Sequence, residues 1–383
     1  MIYLSKYYIL KMKKVFFQII FISLFFSCKS QLSPIKSALN STNEKIVRVM
    51  ENKNIHDIQI KLTVIKEKKS KKRLKTYNYQ IANNNYFYPA STVKLPISIF
   101  AIEKLNENPI INLDTKFKIE NDSVITTIRD EINEIMVMSS NESYNRLFEF
   151  LGQDYIQNKL KEKGINKSVI SHRLSTKNSS DIKTKKITFY TKDSLEIEYP
   201  NNENKKLDKI QAKNLYKGDG FMDNYGKLIS NTMDFSEKNY FPINDLHRLM
   251  KIIFLPEKFK NKYELKLTQE QLKFLKTSMS LSPKDIGYDS KEFYDTYSNL
   301  FIYGDMKKKP NDEIKIFNKI GFAYGHVIES AFIKTRRSSF ILSAIIKVNN
   351  NRIYNDNIYE YESVGFPFFA ELGREIAKVL DSN

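Results

Sequence analysis

A serine placed three residues before a lysine opens an apolar helical stretch in the segment FYPASTVKLPISIF, residues 87–100. Residues i and i+3 share one helix face, so the amine of Lys94 can reach the hydroxyl of Ser91. Unpaired N–H groups at the start of a helix favour a developing oxyanion. Partial burial lowers the pKa of a lysine from about 10.4, which lets the neutral amine take the serine proton. The pair therefore predicts a nucleophilic serine with a lysine base.

The same spacing recurs elsewhere, so the pair alone leaves two roles open. At residues 33–36 it lies in a predicted linker, and at 180–183 it lies in a polar, irregular segment. Only Ser91 opens a helix that is apolar on nearly all faces and should be buried. The structural alternative is a helix cap beside Lys94, with the lysine stem buried and its amine reaching solvent.

Two further motifs follow in a familiar order. The segment MSSNESYN contains Ser139-Ser140-Asn141, and FNKIGFAYG contains Lys319-Ile320-Gly321 on a predicted strand. Together with the first pair they resemble the Ser-x-x-Lys, Ser-x-Asn and Lys-(Thr/Ser)-Gly motifs of penicillin-recognising serine enzymes. From about residue 44 to residue 380 the chain resembles the class A β-lactamases and their penicillin-binding relatives.

The resemblance implies a role for each matched residue. Ser91 would attack a carbonyl and become acylated, while Lys94 takes its proton directly or through water. Ser139 would pass a proton to the leaving nitrogen, and Asn141 would hydrogen-bond the amide side chain of the substrate. Lys319 would support the Ser139 hydroxyl and a substrate carboxylate electrostatically.

The resemblance also implies how the cleft is built around these side chains. The backbone N–H groups of Ser91 and Phe322 would form the oxyanion hole. Gly321 would let its strand approach the substrate closely, and Tyr324 would continue the rim. Asn145, at the last place of the second motif, is expected to brace loops.

Three positions depart from the family pattern. The class A enzymes use a loop glutamate to hydrolyse the acyl-enzyme, preceded two places earlier by an arginine. Here SHRLSTKN supplies the arginine at Arg173 but places Ser175 where the glutamate would stand. Ile320 replaces a hydroxyl residue that could hold a substrate carboxylate, and Ser140 replaces an aspartate. A hydroxyl is no general base at neutral pH. These departures therefore weaken the prediction of efficient β-lactam hydrolysis more than the prediction of serine acylation.

The sequence thus predicts a serine acyl hydrolase acting on an amide or an ester. Its substrate class, a β-lactam or a peptidoglycan peptide, stays open. The alternative is a non-catalytic, lipid-anchored binding protein with a degenerate β-lactamase-like cleft. We expect no cofactor and no metal, because the four histidines are far apart and lack ligand spacing.

Strand patterns at both ends of the chain enclose helical patterns in the middle. This order predicts an α/β protein of the α+β type, with an antiparallel sheet built from the N- and C-terminal segments and flanked by helices. The domain should cover residues 44–383, with an all-helical insertion at about 95–310. One hairpin candidate, KITFYTKDSLEIEYP, lies within that insertion.

The 383-residue chain is basic, with 62 Lys and Arg against 44 Asp and Glu, a formal net charge of +18. The positive charge is spread rather than striped, which argues against a nucleic-acid partner. The densest run, at residues 66–75, is expected to be a solvated hairpin tip.

The N-terminus predicts export. A basic start is followed by an apolar run over residues 15–26, too short to span a bilayer and typical of a signal peptide covering 1–27. Cys28, the only cysteine, follows the run as in a bacterial lipobox, which predicts a lipidated linker over 28–43. The protein would then be tethered to a membrane of the cell envelope, on the periplasmic side or at the cell surface. An uncleaved anchor or a buried cysteine is the alternative.

Overall fold

The computed structural model describes residues 32–69, 71–82, 84–310 and 313–382. The described residues from Pro34 onward form one compact unit. The predicted signal peptide, Cys28 and residues 29–31 of the predicted linker lie outside the described residues.

The two ends of the chain meet in a five-stranded antiparallel sheet with the order β11-β12-β13-β1-β2. In chain order the strands are β1 Gln59–Lys68, β2 Lys71–Tyr79, β3 Lys116–Ile119, β4 Ile125–Thr127, β5 Ile187–Tyr190, β6 Glu196–Tyr199, β7 Tyr216–Lys217, β8 Gly220–Met222, β9 Leu228–Ile229, β10 Met233–Asp234, β11 Lys315–Ala323, β12 His326–Lys334, β13 Ser339–Lys347 and β14 Ile353–Tyr354. The register pairs Leu62 with Leu342 and Lys319 with Ser330. The predicted fold class is confirmed, and the basic run at 66–75 lies at the exposed end of the β1–β2 hairpin.

Both faces of this sheet are covered, which explains why its central strand is almost continuously apolar. In β13 seven consecutive residues, 340–346, are buried. One face packs against the terminal helices and the other against the helices of the insertion. A strand buried on both faces reads as an unbroken hydrophobic run, here FILSAII.

Helices from both ends of the chain cover the first face. In chain order the α-helices are α1 Pro34–Leu39, α2 Glu44–Glu51, α3 Lys53–His56, α4 Lys94–Leu105, α5 Ile128–Val137, α6 Asn141–Leu151, α7 Gln153–Glu162, α8 Ile243–Phe254, α9 Gln269–Ser278 and α10 Phe366–Asp381. Helix α1 lies within the stretch expected to be a linker, and it packs on α10 with Ile35, Ala38 and Leu39 buried. The folded unit therefore begins at Pro34 instead of residue 44, because these three side chains find an apolar partner surface.

The insertion between β2 and β11 is not all helical, which corrects that part of the prediction. It carries a four-stranded antiparallel sheet in the order β4-β3-β5-β6, and the predicted hairpin forms strands β5 and β6. Each of these strands has three or four residues and few inward-facing side chains, such as Phe117 on β3 and Phe189 on β5. Such short segments give too little alternation to be recognised from the sequence.

The segment EINEIMVMSSNESYNRLFEFLG, residues 131–152, has a helical pattern throughout but forms two helices with a break in the middle. Helix α5 ends at Val137 and α6 begins at Asn141, with Ser139 between them in a left-handed conformation at φ +55°. The Ser140 hydroxyl accepts a hydrogen bond from the Ser143 N–H at 3.1 Å and caps α6. Gly152 ends α6 at φ +76°. The interruption places Ser139 and Ser140 of the second motif between the two helices and Asn141 at the start of α6.

Candidate active site

The first motif lies on a tight turn that leads into α4. Residues Ala90–Val93 form a 3₁₀ turn, and the Thr92 hydroxyl closes it by donating to the Pro89 carbonyl at 2.6 Å. Ala90 has a left-handed backbone at φ +47°, a strained conformation for a residue with a side chain. Ser91 stays partly exposed on this turn, whereas Lys94 is completely buried at the start of the helix.

The amine of Lys94 points into the second motif instead of solvent, which excludes the simple cap alternative. Its Nζ donates to the Asn141 side-chain oxygen at 2.7 Å and to the backbone carbonyl of Ser139. Burial lowers the pKa of Lys94 well below its ordinary value, the positive charge of Lys319 lowers it further, and Glu142 opposes them. A buried amine of this kind can exist in the neutral form and accept a proton.

A second buried amine approaches the same loop from the sheet. Lys319 Nζ donates to the Ser139 hydroxyl at 2.8 Å and to the Ile320 carbonyl at 3.0 Å. Lys94 Nζ lies 3.4 Å from the same hydroxyl. Burial lowers the pKa of Lys319 to about 7, while the buried Glu329 carboxylate opposes the shift. The Ser139 hydroxyl thus lies between two buried amines, and burial lowers the pKa of each.

The edge strand β11 lies directly against the turn that carries Ser91. A Cβ at Gly321 would be 2.7 Å from the Ser91 backbone nitrogen, so only glycine permits this approach. The backbone N–H of Asn318 points away from β12 and donates to the Met279 carbonyl at 3.0 Å. Backbone direction alternates along an antiparallel edge, so the N–H of Phe322, four residues on, also points off the sheet. That the N–H groups of Ser91 and Phe322 together form an oxyanion hole stays a prediction.

Replacing Gly321 by Ala is expected to separate β11 from the nucleophile turn. The new Cβ would meet two backbone nitrogens, of Ser91 at 2.7 Å and of Thr92 at 2.9 Å, and backbone cannot rotate away. We expect a loss of about 1–3 kcal/mol in the free energy of unfolding, together with loss of Ser91 reactivity. Denaturant titration and Ser91 labelling check both effects.

Gly226→Ala is the control for that substitution. Gly226 has φ +76° but open space around the position of a Cβ. The control should show the conformational cost of about 1 kcal/mol without any change in Ser91 labelling. Equal labelling in the Gly321→Ala protein would contradict the close approach of the strand to the nucleophile.

The loop that follows Ser171 is fixed by charged and amide side chains. Arg173 binds the Glu149 carboxylate through two hydrogen bonds of 2.6 and 2.9 Å. Asn145 both donates to the Leu174 carbonyl and accepts from the Leu174 N–H, as its predicted bracing role requires. These contacts hold the loop against α6 along its length, at Asn145 and at Glu149.

Ser175 reaches the site at the position where the family pattern has glutamate. Its hydroxyl accepts a hydrogen bond from the Asn141 amide nitrogen at 2.9 Å, and its backbone is left-handed at φ +51°. The other end of the same amide accepts from Lys94. A short relay therefore connects Ser175 to the predicted base, but it carries no carboxylate.

Two acidic residues that the sequence analysis did not single out influence the site. Glu142 follows Asn141 on α6, and its charge raises the pKa of Lys94. Glu329 is buried on β12 beside β11, where its carboxylate accepts from the Phe301 N–H at 2.6 Å and from the Asn318 amide. Burial raises the pKa of Glu329 to about 8. Glu329 could have been found from the sequence, because it is the one acidic residue within the apolar strand HVIESAFIK.

The described residues form neither a metal site nor a membrane-spanning helix. Across residues 32–382, as far as the structure describes them, no group of three or more His, Cys, Asp or Glu side chains is arranged to hold a metal ion. None of the described helices has the length and apolarity needed to cross a membrane.

Comparison with known proteins finds one family model that matches part of the chain and several similar structures. Residues 44–215 match the model of a family described as the beta-lactamase enzyme family. No curated protein matches the chain significantly. A beta-lactamase from Sphaerobacter thermophilus DSM 20745 has a similar structure, with a TM-score of 0.53, 12% identity, and coverage of 91% of this chain and 97% of the other.

Two class A beta-lactamases are similar in the same way. The representative from Bacteroides cellulosilyticus DSM 14838 has a TM-score of 0.51 and 11% identity, with coverage of 92% of this chain and 100% of the other. The enzyme from Mycobacterium abscessus has a TM-score of 0.51 and 12% identity, with coverage of 86% and 95%. At identities this low the structural similarity shows a shared fold only. The chemistry depends on the residues of the site.

The family-model match and the similar structures confirm the β-lactamase-like fold. The resemblance to the class A β-lactamases, inferred from the three motifs, is confirmed as a resemblance.

Proposed function

We propose that the protein is a serine acyl hydrolase that is acylated at Ser91 by an amide or ester, either a β-lactam or a peptidoglycan peptide, and is then deacylated by water. The observation that carries this proposal is the convergence of two buried amines, Lys94 and Lys319, on the Ser139 hydroxyl beside the Ser91 turn. Burying two lysines is costly, and a binding surface without chemistry has no need of amines whose pKa values are lowered.

Each residue then has a defined task. The Ser91 oxygen forms a bond to the substrate carbonyl carbon while its proton passes to neutral Lys94. The carbonyl oxygen gains negative charge between the N–H groups of Ser91 and Phe322. The bond to the leaving nitrogen or oxygen breaks, and that atom receives a proton through Ser139, which Lys319 orients at 2.8 Å. Water then attacks the ester and regenerates Ser91.

A fluorescent penicillin tests the acylation step. We expect covalent labelling of the wild-type protein and complete loss of labelling in Ser91→Ala. The rate at which label is released then separates the two substrate classes, because slow release over hours fits a penicillin-binding peptidase and fast release fits a β-lactamase. Labelling that persists in Ser91→Ala would contradict the assignment of the nucleophile.

A non-catalytic binder is the second candidate, and Ser175 favours it. With a hydroxyl on the Asn141 amide at 2.9 Å, the loop offers no carboxylate to activate water at that point. This candidate predicts saturable binding of peptidoglycan fragments by both wild type and Ser91→Ala, without covalent labelling of either.

Acylation should accelerate with increasing pH, because Lys94 has to lose its proton before it can accept that of Ser91. Burial and the charge of Lys319 lower the pKa of Lys94, so the increase should begin at lower pH than it would with an exposed lysine as base. Lys319→Met removes the repulsion between the two amines. The pKa of Lys94 then rises, and the pH profile of the labelling rate should move to higher pH. Labelling rates between about pH 5 and pH 9 measure the shift; a shift to lower pH would refute the coupling.

We also propose that the protein is exported and anchored through a lipid on Cys28, which lies outside the described residues. The apolar run before Cys28 supports this proposal. In cells the wild-type protein should be found in the membrane fraction and take up radiolabelled fatty acid, whereas Cys28→Ser should lose the label. Ser30→Ala is the matched control and should behave like wild type. Fatty-acid incorporation that survives in Cys28→Ser would contradict lipidation at this residue.

A further inference from the structure

One end of the central sheet collects positive charge that is spread widely along the sequence. A single row of the register crosses all five strands, through Lys315, Lys334, Ser339, Ile65 and Leu74. Beyond this row lie the tip of the β1–β2 hairpin, the β12–β13 turn and the start of β11. We call this end of the sheet the basic end, and we define it by six exposed cations, Lys66, Lys68, Lys71, Arg73, Lys315 and Lys334.

The cations of the basic end face one another across neighbouring strands. The register joins them in three pairs, Lys66 with Arg73, Lys68 with Lys71, and Lys315 with Lys334. Like charges directly opposite each other on a sheet are destabilising. Among the described residues, no carboxylate forms an ion pair with any of these six side chains, whereas Lys72, on the other face of the hairpin, binds Glu257 at 3.1 Å. The basic end therefore carries charge that the described part of the protein leaves uncompensated.

Protection of a free sheet edge explains only part of this charge. Lysines on an edge strand prevent pairing with other chains, and Lys71 and Arg73 lie on the edge strand β2. However, Lys66 and Lys68 lie on β1 and Lys334 lies on β12, and both of these strands are inside the sheet. Cations gathered on inner strands as well as on the edges indicate a negatively charged partner.

The form of the basic end suits a flat anionic surface. It terminates a sheet of five strands, so it is about 19 Å wide at the usual strand spacing. Residues 66–73 and 334–339 include no aromatic residue. Proteins that bind single-stranded nucleic acid stack the bases on aromatic side chains, which these segments lack. A bilayer with anionic headgroups needs only clustered lysines and arginines near its surface.

We propose that the basic end docks on the headgroups of a bilayer that contains anionic phospholipid. Helix α1, where the chain enters the folded unit, packs on β2 as well as on α10. The lipid proposed on Cys28 would tether the protein to the membrane, and the basic end would orient the folded unit on the same surface. The inference goes beyond the proposed function and does not depend on catalysis at Ser91.

Vesicle sedimentation tests the proposal on the chain expected after removal of the signal peptide, residues 28–383, with Cys28→Ser to prevent lipidation. We compare vesicles of phosphatidylcholine alone with vesicles in which about a third of the lipid is phosphatidylglycerol. At low salt the binding constant for the anionic vesicles should be at least about tenfold higher. The preference should disappear at about 1 M salt, where the Debye length is about 3 Å. Equal binding to both kinds of vesicle at low salt overturns the proposal.

The hairpin charge is removed by the combined variant Lys66→Gln, Lys68→Gln, Lys71→Gln and Arg73→Gln. Each cation near an anionic membrane contributes about fivefold to the binding constant, so this variant should bind anionic vesicles at least about 20-fold more weakly. All four side chains are exposed, so the fold should be kept. The variant should even unfold at a slightly higher denaturant concentration, because two like-charged pairs are gone.

The matched control loses the same total charge from other elements. It replaces four exposed lysines of the insertion by Gln, Lys192, Lys206, Lys209 and Lys227. The control should bind anionic vesicles within about threefold of the parent chain, because screening limits the influence of charges far from the bilayer. An equal loss of binding in the two variants would show an effect of net charge and overturn the basic end as the docking site. Tighter binding to a DNA duplex than to anionic vesicles at the same salt would overturn the bilayer as its partner.

Discussion

Replacing Lys94 by Met is expected to slow acylation of Ser91 by about 10³-fold, the typical contribution of a well-placed general base. Methionine matches the unbranched stem of lysine and suits the buried position, so the helix should remain intact. What disappears is the amine that contacts Ser139 and Asn141. Stopped-flow measurement of labelling by a fluorescent penicillin gives the rate.

Lys104→Met is the matched control, because Lys104 lies on the same helix and is also partly shielded from water. Its amine donates to the Phe150 carbonyl at 2.5 Å and contacts the Phe150 ring, and burial lowers its pKa to about 8. The control removes a lysine with a lowered pKa from α4 and should leave the acylation rate within about twofold of wild type. Similar rates for Lys94→Met and the wild-type protein would exclude Lys94 as the base.

Replacing Ser175 by Glu is expected to accelerate release of the acyl group by about 100-fold. The Ser175 side chain already reaches the Asn141 amide at 2.9 Å, and a carboxylate there would be positioned to activate water beside the ester. Acylation should stay equal or become slower, since a new negative charge raises the pKa of Lys94. Following the loss of the fluorescent label over time measures the release rate.

Ser175→Gln separates the chemistry of the carboxylate from its size. Glutamine has the same shape and fills the same space but cannot take a proton from water. It should release the acyl group no faster than the wild-type protein. Equal acceleration by Gln and Glu would show that the loop acts through access of water and not through a base.

Much of the site could be predicted from the sequence because its chemistry is carried by short local patterns. Ser91 and Lys94 identify the turn by their spacing, and Lys319 and Gly321 identify the strand in the same way. Neither pattern depends on contacts with distant residues. The long strands β11, β12 and β13 are also readable, since nine consecutive residues give a clear hydrophobic pattern.

The remaining features depend on contacts between distant residues. The break at Ser139 has no proline or glycine to mark it, and a left-handed serine is stabilised here by the cap at Ser140 and by hydrogen bonds from two lysines. Helix α1 is too short to be recognised without the surface of α10 on which it packs. The rings of Phe322, Tyr361 and Phe366 contact one another across about forty positions of the chain, and no local pattern connects them.

The site is built from residues that lie far apart in the sequence, and this affects when a newly made chain becomes active. Ser139 and Lys319 are 180 residues apart in the chain, and β11 joins a sheet whose other half comes from the N-terminal segments. Contacts of such long sequence separation are slow to form. A fragment that stops at residue 215 would contain the whole stretch matched to the family and still lack both the second amine and half of the oxyanion hole. Newly made chains should therefore stay inert until their last strands have joined the sheet, which delays reactivity of the serine until synthesis is complete.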